Sequence, residues 1–112
     1  MKKNLISIII NCHNGERYLQ KTLDSILDQT YKNYEVIFVD NCSTDQSAKI
    51  FKKISDKRFN YFKTKKKIKL YAGRNFALKK CKGKFITFLD ADDWWDKSFL
   101  SSRNKFFISS KK

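Results

Sequence analysis

The chain contains no proline, only three glycines and a single histidine in 112 residues. No apolar run approaches the roughly 20 residues that a membrane-spanning helix needs, and the longest runs are short and strand-like. The N-terminal Met1-Lys2-Lys3-Asn4-Leu5 leads into a brief apolar stretch with no small-residue cleavage site, so no signal peptide is expected. Three cysteines, Cys12, Cys42 and Cys81, form no C-x-x-C pair. That odd, unpaired set argues against a disulfide framework or a zinc module, including one built from Cys12, His13 and Cys42, and a reducing, cytoplasmic setting fits best. No linker, repeat or proline-rich stretch divides the chain, whose length suits one domain with one core. Disorder is excluded as the main state by a composition that is 41% hydrophobic and 15% aromatic.

Acidic residues are also few: 11 Asp and Glu against 25 Lys and Arg, a formal charge of +14. Such an excess ordinarily points to an anionic partner. A second explanation stands beside it. Lysine far outnumbers arginine, and Ile, Asn, Phe and Tyr are abundant, which is what an AT-rich coding sequence produces without any binding role.

Three apolar runs, at 5–10, 34–39 and 85–89, are rich in Ile, Val or Phe and nearly continuous apart from Ser7 and Thr87. Strands apolar on both faces are covered on both faces, as in a parallel sheet. Helical patterns lie between them. Leu19, Leu23, Ile26 and Leu27 make one stripe over 17–29, behind an Asn14-Gly15 turn. Ser43 and Gln46 have capping-box spacing, with Ala48, Phe51 and Ile54 on the inner face of the helix that would follow. A weaker strand is expected at 59–62. A helix at about 72–81 would turn Ala77, Leu78 and Cys81 inward, and a last helix would carry Phe99, Arg103, Phe106 and Phe107. The lysine-rich stretch 63–69 reads as a loop. The order β-α-β-α-β-α-β-α predicts an α/β, doubly wound, mainly parallel sheet flanked by helices.

In open α/β sheets ligands bind beyond the carboxyl ends of the strands. Three polar segments fall there: 11–15, 40–45 and 90–95. In the third, Asp90 and Asp92 project to the same side if the backbone is extended, and two such carboxylates repel unless a cation lies between them. A hard divalent ion, manganese or magnesium, suits oxygen ligands of this kind and also accepts phosphate oxygens. The plainer alternative is that Asp90 or Asp93 only caps a turn before Trp94. Trp94 and Trp95 are expected to pack that turn.

Four ordered segments resemble family 2 glycosyltransferases of the GT-A fold: SIIINCHNGERYL at 7–19, TLDSILDQTYKNYEVIFVD at 22–40, AGRN at 72–75 and KGKFITFLDADD at 82–93. The resemblance implies a Rossmann-like nucleotide-binding half and transfer of a sugar, with inversion, from a metal-bound nucleotide-diphosphate donor to an acceptor hydroxyl. It implies that Asn11 and His13 hold the donor base, and that Asp40 and Asn41 occupy a pair of family aspartates of which the second usually contacts the base. Asn41 departs from that pattern, which leaves the base open because an amide offers a different donor and acceptor set. The resemblance also implies that Asp90 faces the ribose, Asp92 the metal and Arg74 a phosphate. The acceptor would be a saccharide, a lipid-linked molecule or a protein. Peripheral association with the inner face of a membrane and self-association are further expectations.

The family domain is about twice this length, and its general base and acceptor site lie in the part beyond the resemblance. Residues 1–112 are therefore expected to be the N-terminal, donor-binding part of the domain, with no sugar transfer by these residues alone and Phe99, Phe106 and Phe107 partly exposed. Two other readings stay open here: a non-catalytic nucleotide-sugar binding module or remnant, and a nucleic-acid binder driven by charge. The last is disfavoured, because the lysines are spread over helices and loops and the expected site is acidic.

Overall fold

The structure, a computed structural model, describes residues 4–110. Strands and helices alternate: β1 (Ile6–Cys12), α1 (Glu16–Leu27), β2 (Tyr34–Asp40), α2 (Ser47–Lys52), β3 (Phe59–Lys63), α3 (Leu70–Lys80), β4 (Phe85–Phe88) and α4 (Phe99–Ser110). The sheet runs β3-β2-β1-β4 with every pairing parallel. The two most apolar runs are therefore the two central strands, buried on both faces, and β3 and β4 form the edges.

Alternation along the strands sorts the core into two layers. Ile6, Ile8 and Ile10 of β1 and Tyr34, Val36 and Phe38 of β2 pack with Leu19, Leu23 and Ile26 of α1, Phe51 of α2 and Leu100 of α4. Within that layer Phe38 stacks on Phe51, with centroids 4.2 Å apart. On the opposite face Ile9, Ile37 and Val39 meet Ala77, with Phe62, Phe76 and Cys81 at the margin. The chain thus places α1, α2 and α4 on one face and α3 on the other. It changes side between β3 and β4, which leaves the topological switch at the carboxyl ends of β1 and β4. The polar break at Ser7 is matched inside the sheet: its hydroxyl donates to Glu35 Oε2 at 2.6 Å and accepts from the Gly83 N–H at 2.9 Å.

Several local expectations change. The Ser43–Gln46 capping box does not form. Ser43 Oγ instead accepts from the Asn14 N–H, and Asp45 accepts from the N–H groups of both Ser47 and Glu16, so one carboxylate serves the starts of α1 and α2 together. Asn14 takes a left-handed φ of 53° and ties the two loops by accepting from the Thr44 N–H at 2.7 Å. In α3 Leu78 is exposed rather than inward, because Gly73, Phe76 and Ala77 face the sheet. Trp95 packs as expected, stacked on Phe99 at 4.3 Å, whereas Trp94 stays 47% exposed. The side chains of Phe106 and Phe107 lie outside the described residues.

Candidate donor-binding site

Both loops that leave the central strands open into clefts. The first cleft, about 610 Å³, lies between the ends of β1 and β2 and the segment leading into α3, and is lined by Asn11, Cys12, His13, Asn41 and residues 67–70. Its outer wall is the lysine-rich stretch, fixed at its root by the Thr64 N–H donating to Asp40 O at 3.0 Å. Near its far end, Asn41 grips the backbone of Ile68: Nδ2 donates to Ile68 O at 2.7 Å, and Oδ1 accepts from the Ile68 N–H at 2.8 Å. This two-point grip fixes the amide's orientation, since only the oxygen can face the N–H. Most of Asn41's bonding capacity is thereby spent on the wall.

His13 is exposed, and its Nδ1–H donates to the Asn41 carbonyl at 2.6 Å, so the ring stands against the cleft. Asp40 does not line this cleft. It is only 1% exposed, with one oxygen accepting from the Ser43 N–H and the other from the Tyr61 hydroxyl. Burial and that carboxylate push the Tyr61 phenol well above its ordinary range, so the tyrosine keeps the proton it donates. Asp40 therefore positions the loop that carries Asn41. Cys12 is buried, and desolvation raises its thiol, which makes it a neutral filler.

The second cleft, about 400 Å³, opens at the switch between β1 and β4. It shares Asn11 and His13 with the first and adds Asn14, Arg17, Tyr18, Asp90 and Asp92. Asp90 and Asp92 do not lie on an extended segment. The Asp93 N–H donates to Asp90 O at 3.0 Å, closing a turn that gathers the carboxylates of Asp90, Asp92 and Asp93 within 4.8 Å, all exposed. Among the described residues this is the one group of three such side chains close enough to hold a metal. The turn is tied from behind. The Thr22 hydroxyl of α1 lies 2.6 Å from Asp93 O and 2.9 Å from Ala91 O, and the fully buried Gln29 bonds Asp96 O at 2.7 Å and the Leu100 N–H at 2.9 Å. On the far side of Asp90 a hollow brings in Arg74 with Phe88, Asp93 and Trp94. Arg74 Nε is buried without a hydrogen-bond partner, and the guanidinium carbon lies 5.0 Å from the Phe88 ring centroid.

The close approach of α3 to β1 requires Gly73. A Cβ there would stand 2.5 Å from Asn11 Oδ1, so any larger residue would displace the side chain shared by the two clefts. The fold thus brings Asn11, His13, Asn41, Asp90 and Asp92 to one end of the sheet, with Arg74 beside them and Asp40 beneath. Sequence reasoning missed Arg17, Ile68 and the supporting pair Thr22 and Gln29. Only Arg17 had a visible signal, as a cation in the first turn after a strand end; the others depend on contacts across 27 or more residues.

The family model described as glycosyl transferase family 2 matches residues 7–109. WfaP of Escherichia coli, a UDP-Glc:alpha-D-GlcNAc-diphosphoundecaprenol beta-1,3-glucosyltransferase, is 40% identical over 107 residues, covering 96% of this chain and 43% of its own length. Glycosyltransferase GlyA of Streptococcus pneumoniae is 40% identical over 105 residues, covering 92% of this chain and 15% of its own. The chain thus spans less than half the length of these relatives. Among solved structures, S. aureus TarS 1–349 in complex with UDP-GlcNAc superposes with a TM-score of 0.86 at 31% identity, covering 93% of this chain and 31% of that one. With fold and sequence in agreement, the chain belongs to glycosyl transferase family 2 and has the GT-A fold.

Proposed function

We propose that these residues form the donor-binding part of a glycosyltransferase that passes a sugar, with inversion, from a nucleoside-diphosphate donor to an acceptor hydroxyl. The observation that carries this reading is the pair of clefts joined through Asn11 and His13, one walled by the Ile68 segment and the other bearing three gathered carboxylates. A nucleoside occupies the first, with its base against His13. The diphosphate crosses into the second. The UDP-Glc donor that WfaP is named for and the UDP-GlcNAc of the TarS complex agree with a nucleotide sugar here.

The acidic turn fits a hard divalent cation, manganese or magnesium, because exposed carboxylate oxygens within 4.8 Å are the donors such ions take. Asp92 would hold it, with Asp90 turned to the ribose. Bound there, the ion would neutralise charge on the departing diphosphate. The chain's own residues do the rest. His13 and Asn11 orient the nucleoside, and Asn41 keeps the wall closed against it. The unpartnered Nε of Arg74 supplies a donor whose burial is offset only when an anion reaches it. The acceptor and the base that deprotonates it belong to the second half of the family domain, so residues 1–112 alone bind donor and do not transfer sugar at an appreciable rate. The acceptor in WfaP's name, a GlcNAc-diphosphoundecaprenol, is lipid-linked, which agrees with a place at the inner membrane face.

The test is calorimetry of the purified chain with uridine, guanosine, cytidine and thymidine diphosphates, each with and without manganese. At least one should bind more tightly with the ion present. Diphosphate affinities that ignore the ion throughout would refute the reading.

A further inference from the structure

From residue 57 to residue 89 the sequence contains twelve Lys and Arg and not one Asp or Glu. The remaining 79 residues carry 13 cations against all 11 acids. The +14 charge is therefore not a uniform bias, which corrects the reading of the lysines as dispersed over helices and loops. It belongs to one continuous part of the fold: edge strand β3, the segment into α3, and α3 with its exit.

That part also presents apolar groups to solvent. Leu70 and Tyr71, at the start of α3, are 56% and 66% exposed, and Leu78 is 40% exposed. Tyr71 and Leu78 are seven residues apart on one helix and so share a face, which points away from the sheet that Gly73 and Ala77 touch. Around them Lys65, Lys66, Lys67, Lys69, Lys79 and Lys80 are all exposed. The grip of Asn41 on Ile68 holds the lysine segment in one shape rather than leaving it a loose tether. An exposed helix face with Tyr and Leu at its centre and lysines around it has the character of an interfacial element, whose apolar groups enter the headgroup region while its cations meet anionic lipid.

We infer that the outer face of α3 and the segment 65–69 form a docking surface for an anionic lipid bilayer. This rests on the membrane-face placement proposed above and names the surface that achieves it. Docked this way, the wall of the nucleoside cleft lies against the membrane, and the donor site opens beside the surface from which a lipid-linked acceptor would come. A nucleic acid would meet the same cations and the Tyr71 ring but would gain little from Leu70 and Leu78.

The experiment is sedimentation of the full chain with vesicles of phosphatidylglycerol and phosphatidylcholine, against phosphatidylcholine alone, with nucleoside-diphosphate binding measured in parallel. Binding should require the anionic lipid. Tyr71→Ser with Leu78→Ser, which changes no charge, should weaken partition by about tenfold. Lys65→Glu with Lys66→Glu should weaken it by more, since each cation near such a surface is worth about fivefold. The same charge change at α2 and its C-cap, Lys49→Glu with Lys53→Glu, should cost clearly less. Equal losses from the α2 and segment variants, an unchanged partition for the Tyr71/Leu78 variant, or equally tight binding to duplex DNA at matched salt would overturn the inference. Vesicle binding that fails while nucleotide binding persists counts against this surface alone; loss of nucleotide binding counts against the donor site.

Discussion

At the cleft between the ends of β1 and β2 the polar side chains hold the wall themselves: Asn41 spends its amide on Ile68, His13 spends Nδ1 on the Asn41 carbonyl, and Asp40 is buried beneath them. At the acidic turn the work is divided. Thr22 and Gln29 secure the backbone from behind, and the carboxylates of Asp90, Asp92 and Asp93 stay exposed at the front. The first arrangement makes a shaped slot with little hydrogen-bonding capacity left over, suited to a flat ring recognised by contact. The second leaves charge available, suited to a cation and phosphate oxygens. Substitutions should therefore separate shape from charge.

The largest effect is expected at Asp92. Asp92→Asn should abolish the coupling between manganese and nucleoside diphosphate while leaving the weaker metal-free affinity in place, which titration in both buffers would show. Next is the grip on the wall. Asn41→Ala leaves the Ile68 N–H and C=O without their partner, so nucleotide affinity should fall about tenfold, with or without metal, and trypsin should cut at residues 65–67 far faster than in the parent at an unchanged melting temperature. A metal-dependent loss at Asn41 would erase the contrast between the clefts. His13→Ala should weaken nucleotide binding by a similar factor, about tenfold, through lost stacking.

Thr22→Val probes support rather than charge. It should cost about 1–2 kcal/mol of stability by removing the one hydroxyl proton that the carbonyls of Ala91 and Asp93 share, and should weaken metal coupling severalfold while nucleoside affinity in metal-free buffer holds. The smallest effect lies away from both clefts. Hydrogen bonds from Arg58 hold the Asp56 carboxyl below its ordinary value. The stability from this pair is complete above the ordinary carboxylate range and is lost as pH falls through the lowered folded value. The pair is partly exposed, so a double-mutant cycle at neutral pH should return about 0.5–1 kcal/mol, vanishing in strong acid.

The fold was largely legible because continuous apolar runs and helical stripes dictate layers directly: β1, β2 and α1 emerge from Ile, Val and Leu spacing alone. Leu78 misled because its spacing fits an inward stripe, yet the small residues Gly73 and Ala77 are what let α3 approach the sheet. The gathering of Asp90 with Asp92 was legible, and a turn through Asp90 and Asp93 stood as the alternative, but the support of that turn was not legible, since it depends on Thr22 reaching across from α1. The burial of Asp40 was hidden for a related reason. Its partner Tyr61 lies on a strand 21 residues away, and nothing in the Asp40-Asn41 pair shows which of the two is buried.

The central claim is that the two clefts form one donor site, with the base in the first and the diphosphate at the acidic turn. Phosphorus and proton NMR of a nucleoside diphosphate bound to the chain, titrated with substoichiometric manganese, tests it most directly, with Asp92→Asn as the control for ion bound to free nucleotide. The account predicts strong paramagnetic broadening of both phosphorus signals and weaker broadening of the base protons, which should show contacts to the His13 ring, and predicts that Asp92→Asn removes the protein-dependent part. Phosphorus signals that broaden no more than with Asp92→Asn, or base protons with no contact to His13, would contradict it.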